Sequence, residues 1–238
     1  MAKSRTYLTI VSIAILLLLV VSIVFFHYRA YLLVSVMIIA CMMIPFFARF
    51  EIRSITGREV VILAILAAIA AVGRVPFAGL PSVQPTSFVI IITGLAFGAE
   101  SGFIVGAVAA IVSNIFLGQG PWTPWQMYAW GMMGMTAGLF RNKGWMKKGW
   151  GRSVFGFTWG YLFGWFMNLW IIVSYLDNMT WEIFTATYIA SIYHDLAHAL
   201  SNVFFLAVFS ASWIKILERT KRKYGLFEEV TGKVKKGA

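Results

Sequence analysis

One cluster of polar and aromatic residues in this 238-residue chain has the side-chain types and spacing needed to capture a small molecule. It lies at residues 118–126, GQGPWTPWQ, where glycines and prolines fix a turn between planar rings and amide groups. Stacking surfaces beside amide hydrogen-bonding groups suit a planar ligand that is rich in heteroatoms. For each ring alone, placement at the membrane interface is the ordinary alternative. The candidate binding residues here are Gln119, Trp122, Thr123, Trp125, Gln126 and Tyr128.

A second cluster surrounds two histidines in the last apolar block of the chain. His194 and His198 are four residues apart, so a helix places both on one face, where they could contact a ligand or a metal. No glutamate follows the first histidine as in the HExxH pattern, and the spacing offers no third metal ligand. We therefore expect Tyr193, His194 and His198 to contact a polar ligand without a metal. Hydrogen bonding between helices is the alternative.

An intramembrane enzyme that uses His194, Asp195 and His198 is the catalytic alternative. Such an enzyme requires a metal or a nucleophile nearby, and no GxSxG or comparable nucleophile elbow occurs in the chain. We therefore assign no catalytic residues.

The composition indicates which elements must position these clusters. With 60% hydrophobic and 12% charged residues gathered into long apolar blocks, the sequence predicts an all-α polytopic membrane protein. The single Cys41 excludes an intrachain disulfide. The block after Lys3 and Arg5 holds about 20 apolar residues, which exceeds a signal-peptide core and predicts a retained anchor. The expected spans are 6–26, 30–48, 59–76, 86–98, 102–118, 125–141, 153–175 and 186–217.

Charge predicts the orientation of these spans, because lysine and arginine accumulate in cytoplasmic loops. With the N-terminus inside, only Arg29 and Arg74 of the 20 basic residues fall on the outer face, so both termini are expected in the cytoplasm. Topology then explains the net charge of +11, and its division among short loops argues against nucleic acid as a partner. The basic C-terminal tail is expected to touch the lipid bilayer. The outward connections 74–86, 118–124 and 176–187 add Arg74, Gln84 and Asp177 to the candidate binding residues.

Small residues at four-residue spacing predict close helix packing. Gly94, Gly98, Gly102 and Gly106 give one smooth face, and the short spans on either side of Gly98 are expected to be tilted, broken or re-entrant near a site. The third span carries two alanine pairs at the same spacing. These alanines are Ala64 and Ala68, and Ala67 and Ala71.

No source of energy for transport is evident in the chain. The sequence lacks a GxxxxGK[ST] phosphate-binding loop, and no acidic residue lies in the middle of a predicted span as in a proton relay. A protein of this kind either passes solute passively or depends on partners that hydrolyse ATP.

Three segments resemble the substrate-binding S components of energy-coupling factor (ECF) vitamin transporters. They are AILAAIAAVGRVPFAGLPSVQP, TGLAFGAESGFIVGAVAAIVSN and LGQGPWTPWQMYAWG, within about residues 58–217. The resemblance implies a six-helix core and a vitamin site closed by external loops. It implies that Ala64, Ala67, Ala68 and Ala71 dock a transmembrane coupling subunit. It also implies two cytoplasmic ATPases that bind ATP and Mg, so that this chain carries no cofactor of its own.

The same resemblance gives a domain organisation and a substrate class. Residues 1–57 add two membrane helices and a linker, 58–217 form the substrate-binding core, and 218–238 form a basic cytoplasmic tail. The similar branch is the one associated with cobalamin and cobinamide uptake in the cytoplasmic membrane. Riboflavin or another vitamin, and a membrane scaffold that binds no small molecule, are the alternatives.

Overall fold

A computed structural model describes residues 36–37, 39–41, 43–44, 55–175 and 178–227. Residues 55–227, as far as they are described, form α-helices and a short 3₁₀ turn at Val75–Phe77, with no strand. This confirms the predicted all-α polytopic fold. The helices are α1 Gly57–Val72, α2 Thr86–Phe97, α3 Ala99–Leu117, α4 Thr123–Phe140, α5 Gly149–Ser174 and α6 Trp181–Tyr224.

The helix boundaries follow the six later predicted spans within a few residues, except in α6. That helix has 44 residues and extends beyond the predicted 186–217 at both ends. The first predicted span, 6–26, lies outside the described residues, and the described parts of 30–48 are helical. Four segments of the described residues are each long and apolar enough to cross a membrane. They are Gly57–Phe77, α3, α5 and α6.

Helix α2 is too short to cross a bilayer by itself. Its 12 residues extend about 18 Å, against a hydrocarbon core of about 30 Å. Every residue of α2 except Leu95 is buried, so the short helix is enclosed by protein. It ends at Gly98, whose φ of 101° lies in a region that favours glycine, and α3 begins at the next residue. The expectation of a broken segment at this position is confirmed.

The glycine stripe brings three helices together even though Gly98 interrupts it. A Cβ atom at Gly94 or at Gly102 would overlap the backbone carbonyl of Gly134 in α4. One at Gly106 would overlap the carbonyl of Trp130 in the same helix. Helices α2, α3 and α4 are therefore packed backbone to backbone, as expected for small residues at this spacing.

A second pair of helices, α5 and α6, forms a hairpin by the same principle. Cβ atoms at Gly160 and Gly164 of α5 would overlap Ala199 and Asp195 of α6. Hydrogen bonds also link the two helices, because the Nδ2 of Asn202 donates to the carbonyl of Gly156 at 3.0 Å. The hairpin packs onto α2 and α4 through larger side chains. A cavity is left at one end of this contact.

Candidate functional site

The cavity has a volume of about 790 Å³ and lies between the 74–84 connection and the α5–α6 hairpin. Helices α3 and α4 contribute Leu117 and Gln126 to its wall. The cavity lies at the end of the bundle where α1 ends and α2 begins. Its size is that of sites that bury drug-sized ligands. The polar residues that line it are Arg74, Ser82, Gln84, Gln126, Asn168, Thr187, Ser191, His194, Asp195 and His198.

Arg74 is held by neutral acceptors from two other parts of the chain. Its Nε donates to the Oε1 of Gln84 at 2.9 Å, and its Nη1 donates to Ser113 Oγ at 2.9 Å and to Asn114 Oδ1 at 2.8 Å. The Nη2 group makes no hydrogen bond to a described residue. The guanidinium carbon also lies 5.1 Å from the ring centroid of Trp130. Arg74 is thereby fixed in the cavity wall with one amino group left for a ligand.

Asn114 extends this network from α3 into α4. Its Nδ2 donates to the Oε1 of Gln126 at 2.7 Å and to the Oγ1 of Thr123 at 3.1 Å. Thr123 in turn donates to the Oε1 of Gln119 at 2.9 Å. Gln126 lines the cavity, whereas Thr123 and Gln119 belong to the hydrogen-bond network without lining the cavity.

The 74–86 connection is anchored to α6 at its far end. The Oγ of Ser201 accepts from the backbone N–H of Gln84 at 3.0 Å, and His198 Nε2 shares a 2.7 Å hydrogen bond with Ser87 Oγ. His198 also contacts the ring of Phe163 edge-on at 5.0 Å. These contacts join the connection, α2, α5 and α6 around one side of the cavity.

The predicted tryptophan cluster packs against α5 instead of lining the cavity. The ring of Trp122 lies 5.7 Å from that of Trp170, and Trp125 and Tyr128 lie 5.4 and 5.5 Å from Phe166. None of the three is among the residues that line the cavity. In the described structure these rings form the contact between the start of α4 and helix α5.

The other predicted contacts are divided among three places. His194 lines the cavity, whereas Tyr193 is 68% exposed and borders a separate shallow groove with Phe77 and Leu200. Asp177 lies outside the described residues. Within the described ranges, no group of three His, Cys, Asp or Glu side chains could hold a metal ion.

Several residues of the cavity wall are not among the predicted binding residues. Asn168, Ser191 and Asp195 line it, and the Nδ2 of Asn168 donates to Ser191 Oγ at 2.8 Å. Polar side chains within apolar segments were the available signal. Asn114, Asn168 and Asn202 each form a hydrogen bond between two helices.

Comparison with known protein families matches residues 58–218 to the family described as ECF transporter, substrate-specific component. The chain belongs to this family. The matched region begins one residue after the start of α1 and ends within α6. It therefore contains the whole cavity of this substrate-specific component.

Curated relatives of this S component are UPF0397 proteins. One from Vibrio atlanticus strain LGP32 is 33% identical over 90 residues, which cover 36% of this chain and 49% of the relative. Those from Aliivibrio fischeri strain MJ11 and Aliivibrio salmonicida strain LFI1238 are each 32% identical over 92 residues, 37% of this chain and 50% of each relative. The chain thus spans about half the length of the curated relatives it matches. No solved structure matches.

The alanine pairs of this S component lie on different faces of α1. Ala64 and Ala68 are exposed, whereas Ala67 and Ala71 are 3% and 0% exposed inside the bundle. The outer face also presents Val61. Only the first pair is therefore available to a partner in this arrangement.

Arg74→Lys is expected to lower the free energy of unfolding of this S component by about 1–3 kcal/mol. Lysine keeps the charge but cannot reproduce the forked hydrogen bonds to Gln84, Ser113 and Asn114, so acceptors are left unpaired. Thermal unfolding in detergent measures the effect. Arg58→Lys, at an exposed position in the first turn of α1, is the matched control. Equal unfolding midpoints for the two variants would contradict the structural role of the Arg74 network.

Proposed function

We propose that this chain captures a vitamin in the 790 Å³ cavity, as the substrate-binding subunit of an ATP-driven ECF importer. The observation that carries the proposal is the cavity itself. Arg74, Asn168 and Asp195 place polar groups around a concave volume whose wall also carries apolar residues such as Phe163 and Ile171. A few fixed polar groups in a largely apolar cleft are typical of small-molecule sites. In this proposal the chain has no catalytic role and no cofactor.

Energy in the proposed importer comes from partners. A transmembrane coupling subunit binds the outer face of α1, where Ala64 and Ala68 allow another helix to approach closely. Two cytoplasmic ATPases bind ATP and Mg and act through that subunit. This proposal limits the predicted coupling face to the exposed pair, because Ala67 and Ala71 are buried.

The orientation of the proposed subunit follows from its basic residues. The cavity end of the bundle faces the outside of the cytoplasmic membrane, and both termini lie in the cytoplasm. Arg141, Lys143, Lys147 and Lys148 all lie near the α4–α5 connection at the opposite end. Substrate then enters beside the 74–86 connection.

The sequence resemblance and the size of the cavity favour different vitamins. The sequence resemblance favours cobalamin or cobinamide. The volume of the cavity favours a smaller ring compound, since cavities of about 300–1,000 Å³ bury drug-sized molecules and a corrinoid is larger. A corrinoid bound here extends beyond the cavity, past the 74–84 connection.

Identification of the bound molecule tests the proposed function. The protein is purified from cells fed a vitamin mixture and denatured, and the absorption spectrum and mass of the released material are recorded. We expect a vitamin at near-stoichiometric amounts. Corrin bands would identify cobalamin or cobinamide as the substrate, and flavin bands would identify riboflavin.

Matched variants make this experiment specific for the cavity. Ala190 lines the cavity, so Ala190→Trp fills it and is expected to abolish co-purification of the vitamin. Ala207→Trp makes the same change at an exposed position of α6 that does not line the cavity. A wild-type protein that neither releases a vitamin nor binds one on titration would contradict the proposal and favour the scaffold alternative.

A further inference from the structure

The carboxylate of Asp195 lines the cavity with little compensation from the protein. The residue is 3% exposed, and its only hydrogen bond within the described structure is donated by Ser191 Oγ to Oδ2, at 2.9 Å. No described lysine or arginine forms an ion pair with it. A buried carboxylate is costly unless a cation or several donors satisfy it. Ionisable side chains within membrane helices commonly mark substrate sites.

Arg74 does not supply the missing charge, although it lines the same cavity. Its Nε and Nη1 are directed to Gln84, Ser113 and Asn114. The two histidines of the cavity wall do not hydrogen-bond to the carboxylate either. His198 is engaged with Ser87, and His194, the residue before Asp195, acts on the carboxylate only through space, without a hydrogen bond within the described structure.

The surroundings of Asp195 hold its carboxylate at the cavity surface. Gly164 of α5 lies directly against Oδ1, where any side chain would overlap it. On the other side, Asn168 donates to Ser191 Oγ, which lies 2.9 Å from Oδ2 and 3.0 Å from the carbonyl oxygen of Tyr188 and has one hydrogen for these two acceptors. The Oδ1 of Asn168 accepts no hydrogen bond from a described residue. Two helices thus present neighbouring acceptors to the cavity.

A planar wall lies close to these acceptors. Phe163 lines the cavity one helical turn before Met167, and its ring stacks on Trp130 with the ring centroids 5.3 Å apart. An aromatic ring fixed in this way offers a surface for a flat ligand, and its face attracts cations.

We infer that the substrate is a drug-sized ring compound that carries a positively charged nitrogen, which pairs with Asp195. This inference rests on the proposed function and narrows its substrate class. The cationic nitrogen supplies a positive charge in direct contact with the carboxylate, which no described side chain does, and additional N–H groups bind Asn168 Oδ1. A neutral flavin or a corrinoid does not supply that charge.

Calorimetric titration of the purified full chain tests the inference. The probes are thiamin, which is a permanent organic cation, and the neutral riboflavin and cyanocobalamin. A matched pair, pyridoxamine and pyridoxine, differs only by an ammonium in place of a hydroxyl group. We expect the wild-type protein to bind the cationic members at least about tenfold more tightly, since a single buried charge pair contributes more than about 1.4 kcal/mol.

Asp195→Asn then tests the effect of the carboxylate charge at nearly constant side-chain shape. This nearly isosteric change is expected to weaken binding of the cationic probe by at least about 30-fold, the effect of removing one partner of a buried charge pair. Glu182→Gln is the matched control, because it removes an exposed carboxylate from the same helix outside the cavity lining. Its affinity is expected to stay within about threefold of wild type.

The outcomes distinguish this inference from the proposed function. Tight binding of riboflavin or cyanocobalamin that Asp195→Asn leaves unchanged would overturn the charge inference and keep the vitamin-binding function. Failure of the wild-type protein to bind any probe, together with an empty purified protein, would overturn both. If Asp195→Asn does not fold, the matched pyridoxamine and pyridoxine titrations on wild-type protein decide the question, and equal affinities would overturn the inference.

Discussion

In the proposed importer, Ala68→Leu is expected to reduce vitamin uptake at least about tenfold and to leave vitamin binding unchanged. Ala68 is exposed on α1, one turn after Ala64, so a leucine there changes the outer face without filling the bundle. A helix packed against small residues cannot approach a larger one as closely. Overpacking costs about 1–3 kcal/mol, and about 1.4 kcal/mol corresponds to a factor of ten. Uptake of labelled vitamin by cells and titration of the purified protein measure the two quantities.

Two further leucine substitutions complete this experiment. Ala207→Leu changes an exposed alanine on α6 and is expected to retain uptake. Ala71→Leu changes an alanine with 0% exposure and is expected to lower the yield of folded protein. Loss of binding in Ala68→Leu would place that residue in the internal core. Normal uptake would place the coupling surface on another part of the molecule.

Gly134→Ala is expected to have the largest effect on stability. An added Cβ would overlap the backbone carbonyl of Gly102 and would lie 2.9 Å from its Cα. Backbone atoms cannot rotate away as a side chain can, so α3 and α4 must separate. We expect a loss of at least about 3 kcal/mol, the upper range of overpacking costs. Size-exclusion chromatography after detergent extraction and thermal unfolding measure the result.

The control for this substitution is Gly144→Ala. Gly144 is exposed, and the space that an added Cβ atom would occupy is open, so alanine should change the free energy of unfolding by no more than about 0.5 kcal/mol. If Gly134→Ala gave a monodisperse protein with the wild-type midpoint, the backbone packing of α3 on α4 would not be as described.

Much of the architecture could be predicted because it depends on patterns local in sequence. Apolar blocks located helices α1 to α6, and the spacing of Gly94, Gly102 and Gly106 indicated the close packing of α2, α3 and α4. Asn114 and Asn202 could be predicted to link helices because a polar side chain in an apolar segment needs a partner.

The division of roles within each motif depends on tertiary contacts and could not be predicted. Ala67 and Ala68 differ by about 100° around α1, and only the packing of α2 and α3 determines which one is buried. The sequence around Trp122 and Trp125 is the same whether their rings contact a ligand or α5, so it could not distinguish the two placements. The cavity role of Asp195 required the position of Gly164, which lies on another helix.

Two kinds of contact join the helices of the bundle, and they differ in stiffness. Glycine contacts join α2 to α4 as one stiff unit, and a separate set joins α5 to α6 as a second. Side chains such as Phe88 and Trp213 join the units, and these can exchange rotamers while the backbones stay intact. Because the cavity lies at this boundary, a ligand bound there as proposed contacts both units. We expect its release to involve separation of the two units, with neither unit refolding.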